Sequence, residues 1–220
     1  MDTSAARKAI FSRIRAAQGR PAEVTPAERD AVADYLRANA QGPRPALAPD
    51  LLEHFRQQAI RMADTVDMVA DQDEVPAAVA RYLDDIGVAR KAIAWPTLCG
   101  LAWEDAGLQL EYRKPVNEDL VGITGCFCAI AETGTLMMLS GPDTFASASL
   151  LPETHIAIVP ASRIVAAMED AFALARAEHG ELPRATNFIS GPSRTGDIEQ
   201  TIVLGAHGPY RVHVIILRNA

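Results

Sequence analysis

Two runs of this chain, His155-Ile156-Ala157-Ile158-Val159-Pro160 and Val212-His213-Val214-Ile215-Ile216-Leu217, are apolar at consecutive positions rather than alternate ones. Successive side chains of a strand point to opposite faces, so strands written this way have both faces buried. Shorter runs of the same kind fall at 65–69, 91–95, 108–112, 128–131, 136–139 and 187–189. Helical spacing of apolar residues separates several of them: at about 50–63, through Val79, Tyr82, Leu83 and Ile86, near Leu101, and from about Ser162 to Ala177. The alternation predicts an α/β fold, a mostly parallel sheet flanked by helices. Residues 198–204 fit a strand or a short helix, and helix is the expectation.

The first 49 residues are organised differently. Ile10, Phe11 and Ile14 have helical spacing, and Thr25-Pro26-Ala27-Glu28 is a capping box with proline at the first helical position, opening a second helix through Leu36. The stretch Gln41-Gly42-Pro43-Arg44-Pro45-Ala46-Leu47-Ala48-Pro49 then stops regular structure and reads as a linker or an extended wrap over a neighbouring surface. The expected division is a helical arm with a proline-rich linker over 1–49 and an α/β domain over 50–220, the arm contacting a partner subunit. At 220 residues and 49% hydrophobic the chain can bury a full core. A net charge of -7 argues against nucleic acid as a main partner, since no basic stripe is available. The start has no apolar signal core and no stretch has the length of a membrane span, so a cytoplasmic location is expected.

Chemistry concentrates in three glycine-punctuated segments. Ile189-Ser190-Gly191-Pro192-Ser193-Arg194-Thr195-Gly196-Asp197-Ile198-Glu199 carries hydroxyls, a guanidinium and two carboxylates beyond an apolar Phe188-Ile189 strand end. In open α/β sheets ligands sit at carboxyl ends of strands, and Ser193, Arg194 and Thr195 offer donors suited to an anion. The same residues fit a turn into a helix, with Ser193 or Thr195 as cap and Asp197 and Glu199 at its positive end. In Ala131-Glu132-Thr133-Gly134-Thr135 a strand-end Glu132 stands beside two hydroxyls as a candidate ligand contact, base or nucleophile, where a plain turn with glycine at positive φ also fits. Gly205-Ala206-His207-Gly208-Pro209 sets an imidazole between glycines, as a catalytic group or as a turn residue. The ligand-binding candidates are therefore Thr133, Gly134, Thr135, Gly191, Pro192, Ser193, Arg194, Thr195, Asp197, Glu199 and Gly208, and the catalytic candidates Glu132 and His207.

Three cysteines are too few for an iron-sulfur cluster or a structural zinc site, and Cys126 and Cys128, on one face of a strand, read as buried structural thiols. His54, His155, His179 and His213 have no ligand spacing with one another, and no dinucleotide or P-loop fingerprint occurs. No metal and no cofactor held by this chain is expected.

Gly122-Ile123-Thr124-Gly125, the Glu132 segment, Leu151-Pro152-Glu153-Thr154-His155-Ile156, the Arg194 segment and the His207 segment, in this order, resemble the lactate utilization protein C family, the LUD domain, over about residues 50–217. The one departure is Gly196, where that family usually has alanine. The resemblance implies a NagB/RpiA/CoA-transferase-like fold and a component of a multi-subunit system that oxidises L-lactate to pyruvate, with iron-sulfur or related redox machinery in the partner subunits. It leaves open whether this component is itself an enzyme. On that reading Arg194, Ser193 and Thr195 bind a small carboxylate, and Glu132 or His207 contacts its hydroxyl or moves its proton. Two alternatives stand beside it: a CoA or acyl transferase using Glu132, since Glu132-Thr133-Gly134 is similar to the glutamate-glycine arrangement of CoA-transferases, and a non-catalytic assembly or regulatory subunit. A homo-oligomer is compatible with each.

Overall fold

The computed structural model describes residues 3–21, 23–38, 40, 42–198 and 201–220. The chain divides into two compact units, 1–43 and 44–220. The first contains α1 (Ser4–Ala17) and α2 (Pro26–Ala38). The capping box forms at α2: the Thr25 backbone N–H donates to the Glu28 carboxylate at 3.0 Å and the Glu28 N–H donates to the Thr25 hydroxyl at 3.3 Å. Two of the orphan donors of the helix start are met this way, and Pro26 at the first helical position has no N–H to satisfy.

The second unit begins with extended backbone in which Arg44 donates to both oxygens of Asp170, at 3.0 and 3.1 Å, so this part of the proline-rich stretch wraps the domain's own surface. There follow α3 (Leu51–Arg61), β1 (Thr65–Val69), α4 (Val75–Asp85), β2 (Lys91–Ala94), β3 (Gln109–Glu111), β4 (Val121–Gly125), β5 (Cys128–Ile130), β6 (Thr135–Leu139), β7 (Thr154–Pro160), β8 (Ile164–Val165), α5 (Met168–His179), β9 (Thr186–Ile189), β10 (Arg194–Ile198), β11 (Thr201–Leu204) and β12 (Arg211–Leu217). Six strands form a sheet in the order β1-β12-β7-β4-β2-β3 with every neighbouring pair parallel. This is the mostly parallel sheet expected from the consecutive apolar runs, and those runs, β7 and β12, are interior strands paired on both sides.

One face of the sheet, with Val121, Ile123, Ile156, Ile158 and Ile215, packs on Val75, Val79 and Leu83 of α4. The other, with Ile93, Ala157, Val159, Val214 and Ile216, packs on Phe55 and Ala59 of α3 and on Ala129, Leu136, Met138 and Ile189 of a second sheet. That sheet, in the order β8-β5-β6-β9, is mixed: β5–β6 and β6–β9 are antiparallel and β5–β8 parallel. Its outer residues, Cys128, Ile130, Met137 and Leu139, are closed off by Ala171 and Ala175 of α5. Continuous apolar runs therefore arise from two sheets, because the smaller one is also covered on both faces. Two histidines are buried with the apolar residues. His155 accepts from or donates to the Thr124 hydroxyl at 2.8 Å, and burial lowers its pKa to about 3. His213 stacks on Tyr82 at 3.8 Å and has its pKa lowered to about 4, chiefly by burial.

Four expectations are corrected. Residues 201–204 are not helical: β10 and β11 form an antiparallel hairpin pairing Arg194 with Leu204 and Thr195 with Val203. The β-branched residues Thr201, Ile202 and Val203 favour the extended backbone. The helix expected from Ser162 starts at Met168, because Ile164–Val165 is taken by the smaller sheet and Asp170 accepts the Ala167 N–H at 3.1 Å, fixing the helix start there. Leu101 lies in a bend between 3-10 turns at Pro96–Leu98 and Glu104–Ala106 rather than in a helix. Cys126 and Cys128 do not share a strand face: Cys126 falls in the connection between β4 and β5 and packs toward the central sheet, whereas Cys128 packs toward α5. No helix among the described residues is long and apolar enough to cross a membrane.

The turn from β5 to β6 needs glycine at position 134. Gly134 has φ +67°, and a Cβ there would lie 2.4 Å from the Ala59 backbone nitrogen. Gly134→Ala is expected to lower stability by about 2 kcal/mol or more, since both the backbone strain and the displaced helix count against it. A urea-unfolding midpoint equal to that of the unsubstituted protein would contradict this close approach.

Candidate functional site

The last turn of α3 and the link to β1 form the hub on which the Glu132 and Arg194 segments converge, and the His207 segment joins them through Ser193. Gln58 and Ala59 meet Gly134. One turn further, the Met62 carbonyl meets Gly191, which has φ +76° and whose Cβ would lie 2.1 Å from that oxygen. A side chain at either glycine would push its turn off the helix. The pairing of Leu136 with Ile189 in the smaller sheet sets Thr135 and Ser190, the next residues outward, at the same sheet end. The turn that carries Glu132 thus abuts the last turn of α3, and the turn at Gly191 that leads into Arg194 abuts Met62 just beyond it.

Arg194 donates from Nη2 to the Met62 carbonyl at 3.1 Å, and its guanidinium is exposed. Ser193 ties in the third segment: its N–H donates to the Pro209 carbonyl and its own carbonyl accepts from the Gly205 N–H, both at 2.9 Å. Gly208 lies against the Ser193 side chain. Thr195 is buried, and Pro192 is half-buried. Glu132 is half-buried at the turn, its N–H donating to the Ala166 carbonyl at 3.0 Å, and the Thr133 and Thr135 hydroxyls are 2.7 Å apart. His207 is exposed at the tip of its turn. The backbone of Asp197 belongs to β10, and Glu199 lies outside the described residues.

The Arg194 segment turns into a hairpin, so its alternative reading as a helix start does not hold. Its location also differs from expectation. It does leave the carboxyl end of β9, but β9 belongs to the smaller sheet. With respect to the central sheet the converging segments stand at the amino ends: Met62 and Arg194 just before β1, Pro209 just before β12, and Glu153, which accepts the Arg211 N–H, just before β7.

Asp64, which no sequence motif singles out, completes the site. It follows Ala63, whose φ of 74° turns the chain sharply between α3 and β1. Its side chain is buried at 5% exposure, and among the described residues Oδ1 has no hydrogen-bond partner. Burial raises its pKa to about 7, against a smaller opposing pull from the Arg194 charge. A carboxyl group shared between its two protonation states near neutrality, beside a guanidinium, can accept or return a proton next to a bound anion. A lone Asp after a helix carries no pattern in sequence; only its desolvation distinguishes it. Among the described residues no group of three or more His, Cys, Asp or Glu side chains could hold a metal ion. All three cysteines are free, and burial pushes the Cys128 thiol up to about 11 and the Cys126 thiol higher still, so neither is a ready nucleophile.

Comparison with known proteins places these features in a wider group. A family model described as the LUD domain matches residues 52–217. Lactate utilization protein C of an Exiguobacterium species is 32% identical over 225 residues, covering 97% of this chain and 96% of that protein. Lactate utilization protein C of Bacillus subtilis is 40% identical over 129 residues, 57% of this chain, and the match spans about half of that relative, 54%. A match to the Bacillus licheniformis protein of the same name likewise spans 54% of its length. Among solved structures, a DUF162 family protein from Deinococcus radiodurans superposes with a TM-score of 0.58 at 23% identity, over 79% of this chain and all of that one, which supports the α/β fold.

Asp64 gives the site a pH signature whose sign is opposite to that of the buried histidines. Its folded pKa lies above the ordinary 3.8, so its contribution to stability is full below that value and is lost as pH rises through about 7. The histidines, with folded pKa values below 6.5, lose stability as pH falls below that value. Asp64→Asn is expected to stabilise the protein more at pH 8 than at pH 5, the difference being about 1–3 kcal/mol. Denaturant midpoints measured at both pH values check this; an equal shift at the two would mean that Asp64 does not titrate between them.

Proposed function

The chain belongs to the LUD domain family, and from that premise we propose that it serves lactate utilization as a component of a multi-subunit system oxidising L-lactate to pyruvate. The names of its relatives support the general role, and the site chemistry supports a specific part in it. The observation that carries the ligand reading is the exposed Arg194 guanidinium beside the buried Asp64 carboxyl, whose Oδ1 has no hydrogen-bond partner among the described residues.

A 2-hydroxy acid carries its carboxylate and its hydroxyl on adjacent carbons. Arg194 takes the carboxylate through charge-assisted hydrogen bonds, assisted by the Ser193 and Thr195 hydroxyls. Asp64 accepts the hydroxyl proton, with Glu132 and His207 as further candidates for that transfer. Oxidation to pyruvate also removes the hydrogen on the hydroxyl-bearing carbon together with two electrons. These pass to redox partner subunits, for which iron-sulfur clusters are the carriers proposed. This chain holds the substrate and its proton, and supplies no redox cofactor.

The alternative in which Glu132 attacks an acyl-CoA, and the one in which the chain only assembles its partners, are separated from this reading by binding measurements. In calorimetry, Arg194→Ala is expected to weaken L-lactate or pyruvate binding on the order of tenfold to a hundredfold, the effect of one charge-assisted contact. Its unfolding midpoint should hardly change, because the side chain is exposed. Unaltered affinity in this variant would remove Arg194 from the site. Turnover of an acyl-CoA by the purified chain, abolished by Glu132→Gln, would establish the transferase instead. With neither binding nor turnover, the assembly role remains.

A further inference from the structure

At the opposite end of the central sheet lies a second site that none of the three glycine-containing segments lines. From β2 the chain passes outward to β3 on one side, whereas β4, β7 and β12 follow one another to the other side. The connection order therefore reverses between β2 and β4. In open parallel sheets the crevice beyond the carboxyl ends of strands at such a reversal is where small ligands bind, because no crossover connection fills it. The carboxyl ends of β2 and β4 are Ala94 and Gly125, followed by Trp95 and Cys126.

Two hollows meet there, of about 550 Å³ and about 300 Å³, and Thr97, Gly125 and Cys126 line both. The larger is walled by Trp95, Phe127 and Leu139 and closed by residues of the smaller sheet and the end of α5. Trp95 is held in place by its indole N–H, which donates to the Phe145 carbonyl at 3.1 Å, and an Arg163 guanidinium covers the Phe127 ring at 4.7 Å. Both aromatic walls are thus fixed before any ligand arrives. The volume suits a small organic molecule.

The lining also selects the kind of molecule. Among the described residues no lysine or arginine lines either hollow, and the smaller has no charged lining residue. A carboxylate or phosphate would meet no lysine or arginine there, and in the larger hollow would face the Glu181 carboxylate, which distinguishes this place from the Arg194 site. The polar lining groups are the Thr97, Ser140 and Thr144 hydroxyls, the Gln72 amide and, at the α5 end of the larger hollow, the His179 imidazole and the Glu181 carboxylate; the Ser140 hydroxyl accepts the Ala185 N–H at 3.0 Å and keeps its own proton to donate, whereas the Thr144 hydroxyl donates to the Leu139 carbonyl at 2.9 Å. We infer that this crevice at the carboxyl ends of β2 and β4 binds a planar, uncharged ring with hydrogen-bonding groups on its edge. It is a second ligand site, separate from the anion site at the amino ends.

Gly125 provides the test. A Cβ at this position would have Trp95 Cζ3, at 4.0 Å, as its only neighbour within that distance, so a larger side chain enters open space. Nile red, an uncharged planar fluorophore, is titrated into the full chain and into Gly125→Leu, with Thr97→Phe as a second variant that narrows the same space from another element. The expected result is saturable one-to-one binding, at least tenfold weaker in each folded variant. Binding that is unsaturable, or unchanged in a folded variant, overturns the proposal. Loss of L-lactate binding in Arg194→Ala does not bear on this outcome, because the two sites share no residue.

Discussion

The double burial of β7 and β12 is the constraint from which the rest of the domain follows. Their side chains are apolar on both faces, so the central sheet must be covered on both. On one face α4 closes it together with Trp103 and Leu108 of the β2–β3 connection. On the other, α3 shares the work with a smaller sheet, and that sheet is apolar on its outer face as well and so needs α5. Each layer exists because the one beneath it exposes an apolar face, and the hydrophobic gain from closing these faces is what orders the intervening turns.

The site is a by-product of how α3 fits into this stack. To lie between the central sheet and the turns of the smaller one, its final turns must accept backbone at very short range. Two glycines at positive φ allow that approach, at Ala59 and at Met62. The sharp bend at Ala63 then drives Asp64 inside at the start of β1. An ionised carboxylate there loses its water without gaining a full hydrogen-bond set, and Arg194 offsets only part of that loss. Packing thereby produces a carboxyl group that titrates near neutrality. The same stacking leaves the carboxyl ends of β2 and β4 open, so the two ends of one sheet acquire different chemistry: a charged corner at one, an apolar crevice at the other.

Much of the fold is legible in the sequence where the relevant physics is local. The Thr25–Glu28 box formed because its partners are three residues apart. The strands of the central sheet announced themselves through apolar runs, and the turn at Glu132–Gly134 through its glycine. Misreadings arose where a neighbour in space outweighed the local pattern. Ile164 and Val165 fit a helical spacing, yet pairing with β5 makes them strand. The segment from Ser193 onward has the residues of a helix start, yet hairpin pairing of Thr195 with Val203 extends it. A consecutive apolar run states that both faces are buried, but not in which sheet or in which direction, so the mixed smaller sheet was not visible.

What the sequence determined by itself was the class of fold, the punctuation between elements, and the residue types available for chemistry, because these depend on backbone preference and on apolar periodicity within a few positions. It also carried the segments by which the chain is placed in its family. Tertiary structure alone decided which of those residues meet. Met62 and Arg194 are 132 positions apart and are joined by one hydrogen bond. Asp64 owes its raised pKa to what surrounds it rather than to its sequence neighbours. Desolvation and close approach belong to the packed arrangement, and no local stretch of the chain encodes them.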